Sequence, residues 1–324
     1  MVLEAVKVDG FTLEFASEEM RADKGVILAA VQKTGFALEH ASLALKADRE
    51  VVLAAVKQEG GALECAAGGL QADKEVVLAA VEKIGSALKF AASELRADKE
   101  VVLAAMKVNG YALKFAASEL RADKEVVFEA VRCGGHALEH AVYELRADKE
   151  VVLAAVARNG WALAFADCAL RNDKEVVLAA VRCEGRALQY ASWPMKADKE
   201  VVLAAVQRRG YALKFAKRAL QADKEVVLAA VKTNGFALAF AARALQDHAL
   251  LRRLSTLVQR VCGRGRRNWH IFKVRFAVRA VVAYWSMLAG KDDAHFDDEG
   301  KAVMQGEGAR AAKRSFEEMM MMQA

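Results

Sequence analysis

The chain has 324 residues, is 55% hydrophobic and 28% charged, and carries a formal net charge of +6. That is enough apolar material for a large core, and more chain than one compact domain usually holds, so two domains or an extended array are expected. A single proline, Pro194, and an alanine-rich composition with balanced Lys and Glu exclude a β-rich fold and point to helix throughout.

The first residues, MVLEAVKVDGFTLEF, already hold Glu4 and Asp9. They lack the basic-then-apolar order of a secretory signal. No uncharged apolar run approaches the roughly 18–20 residues that span a bilayer. The five cysteines (Cys65, Cys133, Cys168, Cys183 and Cys262) are odd in number and form no CxxC pair. A disulfide framework is not expected, and an intracellular, cytoplasmic setting is.

Internal repetition dominates the chain. MVLEAV begins at residue 1, and VVLAAV or a close variant begins at 26, 51, 76, 101, 126, 151, 176, 201 and 226: ten copies at a spacing of 25 without insertion or deletion. The copy at 101–125 reads VVLAAMKVNGYALKFAASELRADKE. Each VVLAAV block is apolar almost all round and predicts a helix of about ten residues covered on most sides. Its fourth residue becomes Glu4 and Glu129 in two copies, so this edge is expected to see water.

Glycine follows in every copy, at 10, 35, 60, 85, 110, 135, 160, 185, 210 and 235. A left-handed residue ending the first helix is the expected role. A second helix of similar length then carries Leu113, Ala116 and Leu120 on a buried stripe, with Phe115 beside it and Tyr111, Lys114 and Ser118 outward. Aspartate at 23, 48, 73, 98, 123, 148, 173, 198 and 223 stands where it can cap the next helix, worth about 1 kcal/mol each. The Glu two residues on adds a favourable charge to that first turn. Helices this short are marginal alone, so neighbouring copies must stabilise one another.

The fold class that follows is all-α: tandem helical-hairpin repeats, an α-solenoid of ten 25-residue copies, plus a C-terminal basic helical segment. The pattern DKEVVLAAVKxNGxALxFASxELxxD resembles the signature of an uncharacterised family of short helical repeats, a domain of unknown function known from algae, protists and some bacteria. The resemblance covers residues 1–246. It implies a helical array and supplies no activity and no catalytic residue.

The copies have edges and departures. The first lacks a preceding Asp, so its end is expected to fray or to belong to a longer array. In the last, His248 stands where Asp is expected and Asp247 comes one place early. Trp193-Pro194 interrupts the expected second helix of the eighth copy, where a local kink is predicted.

Catalytic patterns are absent: there is no GxSxG, P-loop, HExxH or paired-carboxylate constellation. The recurring Asp and Glu are structural caps, whereas a catalytic residue is expected once. The one metal-like spacing is Cys133, His136 and His140, with the two histidines four residues apart on one helix. His140 fills the place of Phe15, Phe90, Phe165, Phe215 and Phe240, and His40 fills it in the second copy, so a packed histidine is the better reading. No metal and no cofactor are expected.

The residue after each glycine varies within this near-constant frame: Phe11, Phe36, Gly61, Ser86, Tyr111, His136, Trp161, Arg186, Tyr211 and Phe236. Aromatic and Arg side chains in a row are the material of binding hot spots. The alternative is that they merely cover the groove between helices, and the sequence leaves both open. Phe11, Phe36, Tyr111, Trp161, Arg186, Tyr211 and Phe236 are the candidate partner-binding residues.

Residues 1–246 carry 34 basic and 33 acidic side chains, so the net charge arises beyond them. Residues 247–290 hold Arg252, Arg253, Arg260, Arg264, Arg266, Arg267, Lys273, Arg275 and Arg279, with no acid after Asp247. ALLRRLSTLVQRVC reads as one helix and WHIFKVRFAVRAVVAYWSMLAG as a second. Their apolar faces are expected to cap the last repeat. Residues 291–324 are acidic on balance and expected to be mobile.

Two functions compete. The first is a non-catalytic scaffold binding an unidentified protein partner through its repeat surface. The alternative is an adaptor for nucleic acid, an anionic membrane surface or a calmodulin-like protein through the basic stretch 252–288. Val258-Gln259 followed by Gly263-Arg264 faintly resembles a calmodulin-binding IQ motif with its RG pair reversed.

Overall fold

A computed structural model describes residues 2–263. The predicted segments at 264–290 and 291–324 lie outside the described residues, with Arg264, Arg266, Arg267, Lys273, Arg275 and Arg279. Among the described residues every regular element is helical, in tandem repeats. Contacts divide the chain into two compact units, Met1–Ser192 and one beginning at Trp193, each built from the same repeat.

The first half of a repeat forms as the sequence predicts. Lys99–Val108 is a ten-residue α-helix whose N-cap, Asp98, accepts hydrogen bonds at Oδ1 from Glu100 N–H (2.9 Å) and Val101 N–H (3.3 Å). Two of the four N–H groups that a helix start leaves open are thereby satisfied. Val101, Val102, Ala105 and Met106 are fully buried, and Leu103 and Ala104 are half-buried. Within each unit long helices pack on those of neighbouring repeats, on their own 3₁₀ segment and on the 3₁₀ segment of the repeat before. Glu4 and Glu129 do meet water at the edge, paired within their helices to Lys7 (2.8 Å) and Arg132 (3.1 Å).

The second half departs from expectation. A second helix of similar length does not form; a six-residue 3₁₀ helix, Gly110–Phe115, is followed by a one-turn α-helix, Ser118–Arg121. Between them Ala116 (φ −67°, ψ 152°) and Ala117 (φ −59°, ψ 156°) are extended. The cause is tertiary. Ala117 N–H donates to Arg96 O of the preceding repeat at 2.9 Å. Within the first unit the same bond runs from Ser42 to Arg21, Ala67 to Lys46, Ala92 to Gln71, Asp167 to Arg146 and Ser192 to Arg171, each at 2.9 Å. In the second unit Lys217 N–H reaches Lys196 O at 2.9 Å. A continuous helix would turn this donor inward to its own chain. Leu113, Ala116 and Leu120 are nonetheless all buried.

The side chain at the end of the short helix closes the 3₁₀ segment from outside. Gln71 Nε2 donates to Leu63 O (3.2 Å) and Ala66 O (3.1 Å), and Arg21 Nη2 donates to Glu14 O (2.5 Å). These carbonyls lie at a helix end, where Leu63 O also accepts from Ala66 N–H at 3.2 Å.

The repeat glycine has a different role from the one expected. The helix ends one residue earlier, at Thr34 or Asn109, both extended (φ −141° and −152°), and Gly35 or Gly110 opens the 3₁₀ segment. None of Gly10, Gly35, Gly60, Gly85, Gly110, Gly135 and Gly160 is left-handed. Glycine is required by close approach: a Cβ on Gly35 would stand 2.6 Å from Ala55 O and 2.9 Å from Glu59 Cβ, in the next long helix.

Pro194 does not kink a helix, since no continuous second helix exists to be kinked. It lies at φ −58°, ψ −43° immediately before a 3₁₀ turn, Met195–Ala197, in a first turn that tolerates a missing donor. Leu170–Asn172 is the same 3₁₀ turn without a proline.

Candidate partner-binding surface

Within each unit the residues after the glycines form a row at the surface. Phe11 (45% exposed), Tyr111 (43%) and Phe236 (62%) are exposed, as is Arg186; Phe36, Trp161 and Tyr211 are half-buried. Several of these rings lean on the next repeat. Tyr111 meets His140 edge to face at 5.0 Å, His136 meets Phe165 at 6.2 Å, and Trp161 meets Tyr190 at 5.9 Å. In the second unit Tyr211 meets Phe240 at 4.8 Å. A Cβ on Gly61 would lie 2.7 Å from Phe36 Cζ, so the Phe36 ring also reaches the next repeat. Such edge-to-face pairs each add about 0.5–1.5 kcal/mol beyond area burial. The row therefore covers the groove between repeats and keeps part of each ring in solvent.

Lysines complete the ridge. Lys114 Nζ lies 4.4 Å from the Tyr111 ring and 4.8 Å from Phe115, and Lys89 lies 4.2 Å from Phe90. The backbone under the row is held by the residue before the glycine: Asn109 Oδ1 accepts from Tyr111 N–H, and Asn159 Oδ1 from Trp161 N–H, both at 3.0 Å. Where that residue is Thr34, Glu59 of the next repeat reaches back to Phe36 N–H at 3.0 Å.

The Cys133, His136 and His140 spacing does not form a cluster. Cys133 ends a long helix and donates its thiol to Lys107 O (3.4 Å), whereas both histidines stand in the 3₁₀ helix Gly135–His140. At three residues per turn, positions four apart diverge by about 120°. The rings accordingly pack against different aromatics, Phe165 and Tyr111. Burial pushes the His140 imidazole below its ordinary pKa. No group of three His, Cys, Asp or Glu among the described residues is placed to hold a metal ion.

A second periodic feature escaped the sequence reading. Within each unit, Lys or Arg residues that follow a cap Asp bridge to the cap Asp and first-turn Glu of the following repeat. Lys24 reaches Asp48 (2.7 Å) and Glu50 (2.8 Å); Lys74 reaches Asp98 (2.7 Å) and Glu100 (2.8 Å); Lys99 reaches Asp123 (2.8 Å) and Glu125 (2.7 Å). Arg49 joins Asp73 and Glu75, and Lys124 and Lys149 continue the ladder. Each Asp thus caps with Oδ1 and bridges repeats with Oδ2. Its clue was the constant 24-residue offset between Lys and the next Asp.

The bridging cation holds the carboxyls of Asp48, Asp73, Asp98 and Asp123 below the usual range, and the lysines are raised in turn. The depressed Asp values contribute stability that is present above the unfolded Asp value, about 3.9, and lost as pH falls through the lower folded value. The raised Lys values contribute stability present below the unfolded Lys value and lost as pH rises through the folded one. Thermal melting between about pH 5 and 2 is expected to show a falling midpoint that flattens when Asp73, Asp98 and Asp123 are together replaced by Asn. An unchanged acid slope in that triple variant removes the ladder as its cause.

At the other end of the array, Ala249–Gly263 is a helix packed on Gly235–Phe240 and Lys224–Thr233. Leu251, Leu254, Ser255 and Val258 are buried, and Ser255 Oγ donates to Gly235 O at 2.8 Å. Ser255 stands 25 residues after Ala230 and meets Gly235 as Ala230 meets Gly210, so the helix occupies the place of an eleventh first helix. Arg252 and Arg253 are exposed, and Arg252 is tied to Gln246 O (2.8 Å) and to Asp247. Arg260 lies on the backbone of this helix. Val258, the first residue of the IQ-like pair, faces the protein interior. A shallow groove of about 310 Å³ separates the helix from Phe236 and Gln246. No helix among the described residues is long and apolar enough to cross a membrane.

Comparison of the chain with curated proteins and with solved structures found no match to either. A family model, the domain of unknown function DUF4116, matches six times, over residues 1–46, 23–71, 73–121, 123–167, 148–196 and 198–246. Most matches span nearly two copies of the 25-residue unit and successive ones abut or overlap, as tandem duplication requires. The chain therefore belongs to the family of this domain of unknown function, DUF4116.

Proposed function

We propose that this chain is a non-catalytic scaffold that binds a protein partner along the ridge of residues following the repeat glycines. One observation carries the reading. The frame residues recur and are buried, whereas the ridge changes from Phe to Gly, Ser, Tyr, His, Trp and Arg while staying at or near the surface. Repeat architectures use such surfaces for extended partners, and partly exposed aromatic and Arg side chains supply hot spots. The recurring Asp and first-turn Glu act in capping and in bridging between repeats, which is a structural role. The thiols of Cys133 and Cys168 are exposed and unpaired, which suits a reducing, cytoplasmic setting.

The second reading is an adaptor for an anionic partner through the basic segment. It is favoured by Arg252 and Arg253, exposed on a helix whose apolar face is already buried. Affinity capture followed by mass spectrometry separates the two. The intact chain, a Tyr111→Ala/Trp161→Ala variant and a chain ending at Gly263 are compared. The scaffold reading expects a protein kept by the shortened chain and lost by the ridge variant. Retention that depends on the residues after Gly263 and collapses with salt supports the adaptor instead.

A further inference from the structure

We infer that the second unit binds single-stranded nucleic acid along its line of short helices, through Trp193, Lys217, Arg218 and Arg243. The surface uses neither the ridge of the first unit nor the residues after Gly263, so it goes beyond both readings above. Charge is the first observation. Residues 193–263 hold 13 Lys and Arg against five Asp and Glu, whereas the first unit holds 24 against 29. None of the five carboxylates is free. Asp198 caps Val201 N–H at 3.1 Å, Lys199 bridges Asp223 at 2.9 Å and Glu225 at 2.8 Å, Asp247 pairs with Arg252, and Glu200 is likewise engaged. No acid occurs in 201–222 or in 226–246.

Backbone bonds lace the short helices into a line. Lys217 N–H donates to Lys196 O at 2.9 Å, and Ala242 N–H to Gln221 O at 2.8 Å. Trp193, Arg218 and Arg243 hold the same place in three consecutive repeats and follow one another along it. Trp193 is 73% exposed, and Lys217, Arg218 and Arg243 are exposed as well. Among the described residues none of these three cations has an ion pair, and the Trp193 ring meets no aromatic or cationic side chain. The fold does not account for such charges. Arg218 and Arg243 open their helices, where an acid is favoured, and the first unit places Glu18, Glu94, Glu119 and Glu144 in the same turns. At the places of Lys217 and Arg218 it also carries Ala117 and Ser118, and the short helix forms equally there.

The chemistry of the line selects its occupant. Guanidinium forks take phosphate oxygens in pairs, and an exposed indole offers a flat face on which any unpaired base stacks. A lipid surface needs an apolar face to enter it, but Trp193 is the one large apolar side chain exposed on the line, and its neighbours Pro194, Ala219 and Ala244 are small. The apolar anchors of a peptide partner sit in pockets, and the groove in this unit opens at Phe236 instead, lined by none of these residues. The eight carboxylates at 291–324 follow six basic side chains at 264–290, so their nearest counter-charge along the chain is not this line.

The test uses the full chain and fluorescence anisotropy. The probes are a fluorescein-labelled thymidine strand, the same strand in duplex, and a polyglutamate peptide of equal net charge; phosphatidylserine vesicles are tested by sedimentation. The variants are Lys217→Ala/Arg218→Ser/Arg243→Ser and Trp193→Ser. They install the residue types that 117 and 118 already hold, and circular dichroism checks their fold. The triple variant is expected to bind the strand roughly tenfold more weakly at about 0.1 M salt. Its salt slope falls by about two, since each lost single-strand phosphate contact removes about 0.7. Trp193→Ser is expected to lose about fivefold or more on the strand and to stay within about twofold on the duplex, whose bases are already stacked. A triple variant within about twofold of the intact chain overturns the inference and leaves strand binding to the residues after Gly263. So does a loss on the peptide or the vesicles larger than that on the strand, or a Trp193→Ser variant that binds the strand like the intact chain. Neutralising the tail by Asp292→Asn/Asp293→Asn/Asp297→Asn/Asp298→Asn is expected to leave strand affinity within about twofold. A tenfold gain there shows the line already held by the chain's own carboxylates and overturns the inference too. Tyr111 and Trp161 are unchanged throughout, so the scaffold reading stands or falls on its own experiment.

Discussion

Gly35→Ala is expected to destabilise the first unit by about 2–4 kcal/mol, far more than an added methyl group costs at an open site. The new Cβ would stand 2.6 Å from Ala55 O, 2.9 Å from Glu59 Cβ and 3.1 Å from Glu59 N. Two of these three atoms are backbone, so no rotamer change relieves the clash, and the long helix Arg49–Gln58 has to move off its neighbour. Gly134→Ala is the control: nothing lies within 4 Å of the added carbon, and the residue is extended at φ −156°. It is expected to change stability by less than about 0.5 kcal/mol. Gly35→Asn separates close approach from left-handed geometry. Asn tolerates the left-handed region, so a left-handed site would accept it with little loss, whereas a contact site rejects it at least as strongly as Ala. Urea unfolding midpoints decide between them, with the slope checked because arrays need not unfold in one step.

Leu138→Ala is expected to cost about 2.7–5 kcal/mol, the range for deleting a leucine side chain that leaves a cavity. Leu138 is fully buried in the 3₁₀ segment Gly135–His140, which packs on the long helix before it, on the one after it, and on the 3₁₀ segments to either side. Loss therefore falls on interfaces as well as on one repeat, and in a quasi-one-dimensional array interface terms carry much of the stability. Leu43→Ala sets the scale, since Leu43 is 84% exposed and its truncation is expected to stay within about 0.5 kcal/mol. Comparable losses at both positions would mean that Leu138 is not part of a shared core.

The candidate surface was partly legible in the residues. The ridge stood out because Phe11 through Phe236 vary inside a constant frame, and that variation is visible in a self-aligned sequence. The contact of each ring with the next repeat was not visible, because Tyr111 and His140 are 29 residues apart and no local pattern connects them. The ion-pair ladder was hidden for a similar reason. Lys99 and Lys107 look alike along the chain, and only packing shows that the first is engaged by Asp123 and Glu125 while the second is not. Cys133, His136 and His140 show the converse. Their spacing suits a metal on an α-helix, and a change of helix type disperses it.

The residues alone determined the 25-residue period, the long helix from Lys99 to Val108 and the capping role of Asp98, because capping and apolar periodicity act within a few residues of chain. Only the tertiary structure decided the second half of each repeat. There the choice lay between a local hydrogen bond inside a longer helix and the bond from Ala117 N–H to Arg96 O of the preceding repeat. Helix propensity differs by tenths of a kcal/mol per residue, whereas leaving a buried donor unmet costs about 1–3 kcal/mol. The stacked repeats supply the acceptor, and the glycine lets the long helix come close enough for the stack to form.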